Sequence, residues 1–140
     1  MAEKNNNKKR AEKKTFEVVA GIIEMGGKYL IARRAEGKRF AGLWEFPGGK
    51  MEAGETYEQC LRRELREEFG IETKIGELFA QGSSEDDEVK INVFGYKAKY
   101  VYGTFKLRAH DMMRWVKPDE LGQYQFPHAD NPLVKKLAGK

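Results

Sequence analysis

Apolar and polar residues alternate in the first part of the chain in a way that predicts a β-hairpin. Residues 16–24 (FEVVAGIIE) are rich in β-branched residues, a composition typical of a buried strand. Gly26-Gly27 is a turn signal, and residues 28–33 predict a second strand directly after it. The polar stretch 34–42 that follows predicts a loop.

The clearest helical pattern covers residues 56–69. Its apolar residues recur every four positions and lie along one side of a helix. These residues are Tyr57, Leu61, Leu65 and Phe69. Thr56 and Gln59 match a capping box at the start, and Gly70 is placed to end the helix. We therefore expect an amphipathic helix whose apolar stripe packs on a core.

The remaining pattern alternates between short strands, turns and one further helix. It predicts an apolar run over 43–46 ending in a turn at 47–49, strands over 74–80, 90–100, 104–107 and 113–116, a polar loop over 82–88, a helical turn over 118–121 and a terminal helix over 131–137. Asp130 would cap that last helix, and Pro132 would stand in its first turn. This order of elements predicts an α+β or mixed α/β sandwich.

Composition limits the class of protein. A chain of 140 residues suits one domain, with 40% hydrophobic and 34% charged residues. No apolar run approaches the ~18 residues that a membrane span needs, so we expect no membrane partner. A secretory signal is not expected either. A single cysteine, Cys60, excludes an intramolecular disulfide and suits the cytoplasm.

The net charge of +4 is concentrated at the beginning of the chain. Residues 1–15 contain six basic and two acidic residues, so they account for the whole excess. Their polar composition predicts a disordered basic tail, followed by a single domain over 16–140. Because the domain itself is neutral, binding to nucleic acid through anything but the tail is not expected.

The predicted central helix carries a cluster of like charges. Glu64, Glu67 and Glu68 fall on one face, and Arg62 and Arg66 point away from it. Like-charge neighbours repel unless a cation offsets them. Three carboxylates without a nearby histidine or thiol indicate a site for Mg²⁺ or Mn²⁺. A solvated acidic helix is the alternative that spacing alone leaves open.

The residues around this helix carry a family resemblance. Gly49, five residues, Glu55, seven residues and then 63–71 (RELREEFGI) resemble an uninterrupted Nudix box, G-x5-E-x7-R-E-U-x-E-E-x-G-U with U aliphatic. Residues 43–49 (LWEFPGG) resemble the segment that precedes the box in MutT-like members. The resemblance covers residues 16–138.

The resemblance implies an α/β/α sandwich on a mixed sheet, with a loop-helix-loop catalytic motif. It implies that Glu64, Glu67, Glu68 and the Gly48 carbonyl bind Mg²⁺ or Mn²⁺, and that Glu64 activates water. It also implies that Glu55 pairs with Arg63, that Arg34 and Lys50 contact phosphates, and that Asp130 meets the base. Phe46 is a further candidate for stacking on the base, with packing in the core as the alternative. One position departs from the family: Ala109 stands where a further glutamate ligand is usual. His110, Asp111 or a water could take its place, or fewer ions could bind.

The implied reaction is Mg²⁺-dependent cleavage of a nucleoside triphosphate, such as 8-oxo-dGTP, to a monophosphate and pyrophosphate. CTP or a 5-substituted dCTP is the alternative, because the Asp130 carboxylate suits the cytosine amino group. ADP-ribose, a dinucleoside polyphosphate or a non-catalytic binding module are weaker alternatives. The partner is a small nucleotide, and the assembly is a monomer or a homodimer.

Overall fold

A single mixed sheet of seven strands forms the centre of the computed structural model, which describes residues 13–139. The strands are β1 (Lys14–Met25), β2 (Lys28–Arg34), β3 (Trp44–Glu45), β4 (Gly48–Lys50), β5 (Ile71–Glu85), β6 (Val89–Gly103) and β7 (His110–Val116). The helices are α1 (Tyr57–Phe69) and α2 (Asn131–Leu137), with 3-10 turns at Pro118–Gln123 and His128–Asp130. Within these described residues, neither helix is long and apolar enough to span a bilayer.

The strands follow the order β3-β2-β1-β6-β5, with β4 paired to β1 and β7 paired to β2. β1 and β6 are parallel over ten residue pairs, from Lys14 opposite Val89 to Ile23 opposite Ala98. The other pairings are antiparallel. The sheet is therefore mixed, as the sequence predicts.

Two hydrophobic cores lie on opposite faces of the sheet. Successive residues of β1 divide between them, since Val19 and Ile23 join one core and Ala20 and Ile22 join the other. The first core contains Cys60, Leu61, Leu65 and Phe69 of α1. The second core contains Leu133 of α2. Burial of both faces explains the continuous apolar run of β1, and it gives the predicted α/β/α sandwich.

Helix α1 begins and ends where its sequence predicts. The Thr56 hydroxyl accepts from the Gln59 backbone N–H, and the Gln59 side chain accepts from the Thr56 N–H. Gly70 ends the helix in the left-handed conformation, with φ 72°. The capping box and the glycine stop are both confirmed.

Several predicted boundaries are wrong. Residues 104–107 form no strand. The turn expected at 47–49 is limited to a bend at Pro47, and the two glycines that follow belong to the short strand β4. β5 and β6 form a long hairpin, so the polar loop predicted over 82–88 shrinks to 86–88. The Asp86 carboxylate accepts from the N–H groups of Glu88 and Val89, which closes that tight turn. β1 begins at Lys14, before the predicted position 16, while residues 1–12 of the expected tail lie outside the described part.

Candidate active site

The clustered glutamates of α1 differ in exposure. The side chain of Glu64 is 13% exposed, whereas that of Glu67 is 57% exposed. The Arg63 Nη1 group donates to Glu64 Oε1 at 2.9 Å and to Glu67 Oε2 at 3.1 Å. Burial raises the pKa of Glu64 against the opposing effect of Arg63, and the charges of Glu68 and Glu67 also raise it. Glu64 is thus a partly buried carboxylate with a raised pKa, and it is more shielded than Glu67.

A bidentate ion pair joins Arg63 to the loop before α1. Arg63 Nε donates to Glu55 Oε2 at 2.6 Å, and Nη2 donates to Glu55 Oε1 at 2.9 Å. The Glu52 N–H also donates to Glu55. The bond from Arg63 is the largest cause that lowers the pKa of Glu55 to about 2. The pair that the family resemblance implies is present, and it ties the loop to the helix.

Glycine strand β4 lies directly against Glu64. A Cβ added at Gly49 would stand 2.3 Å from the Glu64 carboxyl carbon. A Cβ at Gly48 would stand 1.9 Å from the backbone oxygen of Val19. Both positions therefore need the absence of a side chain, one for the carboxylate and one for the sheet.

The helix face has the donor chemistry that Mg²⁺ or Mn²⁺ prefers, namely several carboxylate oxygens beside a backbone segment rich in carbonyls. As the side chains stand in residues 13–139, no three acidic, histidine or thiol groups are arranged to hold an ion. Arg63 instead links Glu64 to Glu67. Because Glu67 is largely exposed, its carboxylate is free to turn toward an ion.

On the other side of β4 lies a cavity of about 170 Å³. It brings together five residues that the sequence singles out, which are Arg34, Phe46, Gly48, Lys50 and Asp130. Gly49 lines the cavity and also touches Glu64, so the glycine strand connects the cavity to the helix face. Cationic and apolar residues in one concave space suit a ligand that has both an anionic and an apolar part.

Asp130 occupies the N-cap position of α2, as the sequence predicts, but its side chain makes no capping hydrogen bond. The residue is only 7% exposed and lines the cavity. Burial raises the pKa of Asp130 to about 8, and the charge of Glu45 adds to the effect. At pH 7 a protonated Asp130 offers one donor and one acceptor together.

Arg34 and Lys50, which are predicted to contact phosphates, each lie close to another residue in the structure. Arg34 Nε donates to the Arg39 backbone oxygen at 3.3 Å, and its Nη1 lies 3.8 Å from Glu45 Oε2. Lys50 Nζ lies 4.3 Å from the centroid of the Phe16 ring. Both cations keep donors available to a ligand in the cavity.

Phe46 belongs both to the hydrophobic core and to the wall of the cavity. It is 2% exposed, belongs to the second core and lies 5.2 Å from the ring of Phe126 in a stacked arrangement. It also lines the cavity. Its ring therefore forms a fixed wall.

His110 and Asp111, the side chains expected to take the place of the usual glutamate at Ala109, both have partners in the structure. Ala109 is 7% exposed and carries no ligand atom in its side chain. His110 bonds to Glu45, and Asp111 accepts from Arg33 Nε at 2.8 Å. The two side chains expected as substitutes thus have other partners, and a water or a smaller number of ions remains as the other expectation.

Sequence reasoning missed several residues of the cavity. Arg39, Phe40, Glu45 and Ser84 also line it. Arg39 and Phe40 belong to the polar stretch interpreted only as a loop, where Phe40 adopts a positive φ of 60°. Glu45 precedes Phe46 in the segment before the box, and this adjacency was the available signal.

Comparison with known proteins agrees with this geometry. The NUDIX domain profile matches residues 14–137. A CTP pyrophosphohydrolase of Escherichia coli K12 is 43% identical over 122 residues, covering 87% of this chain and 90% of the relative. An 8-oxo-dGTP diphosphatase of Haemophilus influenzae is 41% identical over 128 residues, covering 90% and 93%.

Two solved structures have the same fold as this chain. The crystal structure of a MutT protein from Methanosarcina mazei Go1 superposes with a TM-score of 0.82 at 29% identity, covering 91% of this chain and 96% of that one. The solution structure of the E. coli ORF135 protein superposes with a TM-score of 0.80 at 40% identity, covering 92% of each chain. The profile match and these relatives show that the chain belongs to the Nudix hydrolase family, in its MutT-like branch.

Proposed function

We propose that this protein hydrolyses a nucleoside triphosphate to the monophosphate and pyrophosphate, with Mg²⁺ or Mn²⁺ as cofactor. One observation carries the proposal: the glycine strand β4 lies between a cavity with cationic and apolar walls and the partly buried carboxylate of Glu64. Such a cavity suits a base and its phosphates, and the carboxylate lies against Gly49, which lines the cavity. A cytoplasmic monomer or homodimer remains the expected form.

Glu64, Glu67, Glu68 and the Gly48 carbonyl would hold the ion. Bound Mg²⁺ supplies charge neutralisation at the phosphate oxygens and lowers the pKa of a bound water. Arg34 and Lys50 line the cavity and would bind phosphate oxygens through charge-assisted hydrogen bonds. The ion on the helix face and the cationic side chains of the cavity would thus each neutralise part of the negative charge of the substrate.

Glu64 is the residue we assign to the water. Burial raises its pKa, which makes the carboxylate a better proton acceptor than an exposed glutamate. The bond from Arg63 holds one of its oxygens in place. Fixed geometry on a rigid helix is what in-line attack on a phosphoryl group requires.

A protonated Asp130 matches the N7–O6 edge of an oxidised guanine better than that edge of an unmodified one. A protonated carboxyl donates one hydrogen bond and accepts another, and 8-oxoguanine offers O6 as acceptor beside N7–H as donor. Unmodified guanine offers two acceptors, N7 and O6, on that edge. The raised pKa of Asp130 therefore supports 8-oxo-dGTP over dGTP.

CTP or a 5-substituted dCTP is the second candidate, and the same carboxyl supports it. The N3 acceptor and the N4 amino donor of cytosine also match a protonated Asp130. Substitution at C5 leaves both groups unchanged. A relative 43% identical to this chain is named for CTP hydrolysis.

A pyrophosphate-release assay with Mg²⁺, and then Mn²⁺, tests the proposal. The panel is 8-oxo-dGTP, dGTP, CTP, dCTP, 5-methyl-dCTP and ADP-ribose. We expect kcat/KM for 8-oxo-dGTP to exceed that for dGTP by at least ~10-fold. A larger kcat/KM for the cytosine nucleotides would select the second candidate. Preference for ADP-ribose, or no hydrolysis of any triphosphate, would contradict the proposal.

A further inference from the structure

A buried histidine outside the Nudix box holds one wall of the cavity. The side chain of His110 is 0% exposed, and its Nε2 lies 2.9 Å from Glu45 Oε2. His110 and Glu45 belong to β7 and β3, which pair with opposite edges of β2. Glu45 lines the cavity, where its charge helps to raise the pKa of Asp130. His110 thus reaches the ligand space through Glu45.

The surroundings of the imidazole ring fix its orientation. The ring stacks on Phe69, the last residue of α1, with centroids 5.1 Å apart and an interplanar angle of 29°. Nδ1 is buried and has no hydrogen-bond partner in the described part of the chain. Because an unpaired buried N–H is unfavourable, the proton belongs on Nε2, where it is donated to Glu45.

Glu45 has a competing partner in Arg34. The Arg34 Nη1 group lies 3.8 Å from the same Glu45 oxygen, beyond hydrogen-bond distance. A glutamate released from His110 could turn to Arg34 and form a close ion pair. That pair would remove from the cavity a cation that we assign to the phosphates.

We propose that His110 is a positioning residue, which holds the Glu45 carboxylate at the cavity wall and so keeps Arg34 free for the substrate. This inference rests on the proposed function, because it takes the nucleotide to bind in the cavity. It concerns substrate affinity and not the hydrolytic step, since His110 touches neither the ligand space nor Glu64.

A double-mutant cycle tests the inference with the best triphosphate of the panel. His110→Phe keeps a ring on Phe69 and removes the hydrogen bond. We expect KM to rise about 5- to 10-fold, with kcat within about threefold of wild type. His110→Gln retains a donor and should restore most of the affinity. In a Glu45→Gln background, His110→Phe should change KM by less than about twofold, because no carboxylate remains to pair with Arg34.

Equal KM increases in both backgrounds, or no increase in either, would overturn the inference while the proposed function stands. If wild type neither hydrolyses nor binds any triphosphate, the proposed function fails and the inference fails with it. Melting temperatures of all variants separate a folding defect from a loss of affinity.

Imidazole ¹⁵N spectra give a readout that does not depend on turnover. His128, which is exposed, is the internal reference. We expect His110 to carry its proton on Nε2 and to shift on Glu45→Gln, while His128 stays unchanged. A proton on Nδ1, or a His110 signal insensitive to Glu45→Gln, would overturn the inference.

Discussion

At the scale of single residues, side chains placed at the two adjacent glycines of β4 would meet different neighbours. A side chain at Gly49 meets the movable end of Glu64, whereas a side chain at Gly48 meets the backbone of β1. We expect Gly49→Ala to displace the carboxylate and lower kcat about 100-fold with little change in melting temperature. Gly48→Ala should lower the free energy of unfolding by about 3 kcal/mol. Wild-type turnover in Gly49→Ala would show that Glu64 does not depend on this contact.

The raised pKa of Asp130 predicts a pH dependence of stability. Burial first, and then the charge of Glu45, raise the pKa from 3.8 to about 8. Between these values the native state holds a proton that the unfolded chain has released, so stability falls as pH rises. The slope from this group approaches about 1.4 kcal/mol per pH unit.

Asp130→Asn removes the titrating group and keeps a donor and an acceptor. Urea unfolding of both proteins at pH 5 and pH 7.5 isolates the contribution, because the other groups are shared. We expect the variant to gain stability relative to wild type at the higher pH. Parallel pH profiles would mean that Asp130 titrates normally.

At the scale of elements, α1 depends on its capping box as well as on its apolar stripe. Thr56→Ala removes the hydroxyl that accepts from the Gln59 N–H. The expected loss is about 1 kcal/mol in the free energy of unfolding. Thr56→Ser keeps the hydroxyl and is the matched control in urea denaturation. An Ala variant as stable as the Ser variant would show that tertiary packing alone sets the helix start.

The elements also show what local sequence can and cannot predict. The limits of α1 follow from signals within the helix itself, and they are confirmed. Strand β4 has three residues whose register depends on pairing with β1, so no periodicity marks it. The polar end of β5 pairs with β6 through backbone groups, and its exposed side chains resemble those of a loop.

The residues of the candidate site also fall into two groups, those that the local sequence brings together and those that only the fold brings together. Glu64, Glu67 and Glu68 are neighbours on one helix, so spacing alone groups them. Arg39, Glu45 and His110 come from separate segments, and only folding brings the first two to the cavity and the third to Glu45. Their roles could not be predicted without the sheet order.

At the scale of the whole molecule, the helix that carries Glu64 and the cavity lie on opposite faces of the sheet. The basic segment 1–12 precedes both in the sequence. The first sheet pairing joins Lys14 to Val89, and Lys13 Nζ lies 2.7 Å from Glu85. Removal of residues 1–12 retains these contacts. We expect kcat/KM to stay within about twofold of wild type and the melting temperature to stay within a few degrees of it. A large rise in KM would assign a substrate contact to that segment.

The most direct test of the central claim, that Glu64 beside the cavity drives triphosphate hydrolysis, is Mg²⁺-dependent pyrophosphate release by Glu64→Gln. The control is Glu58→Gln, an exposed position in the first turn of the same helix. The account predicts a kcat lowered about 10²- to 10⁴-fold in Glu64→Gln, and a kcat within about twofold of wild type in the control. Full turnover in Glu64→Gln, or an equal loss in Glu58→Gln, would contradict it.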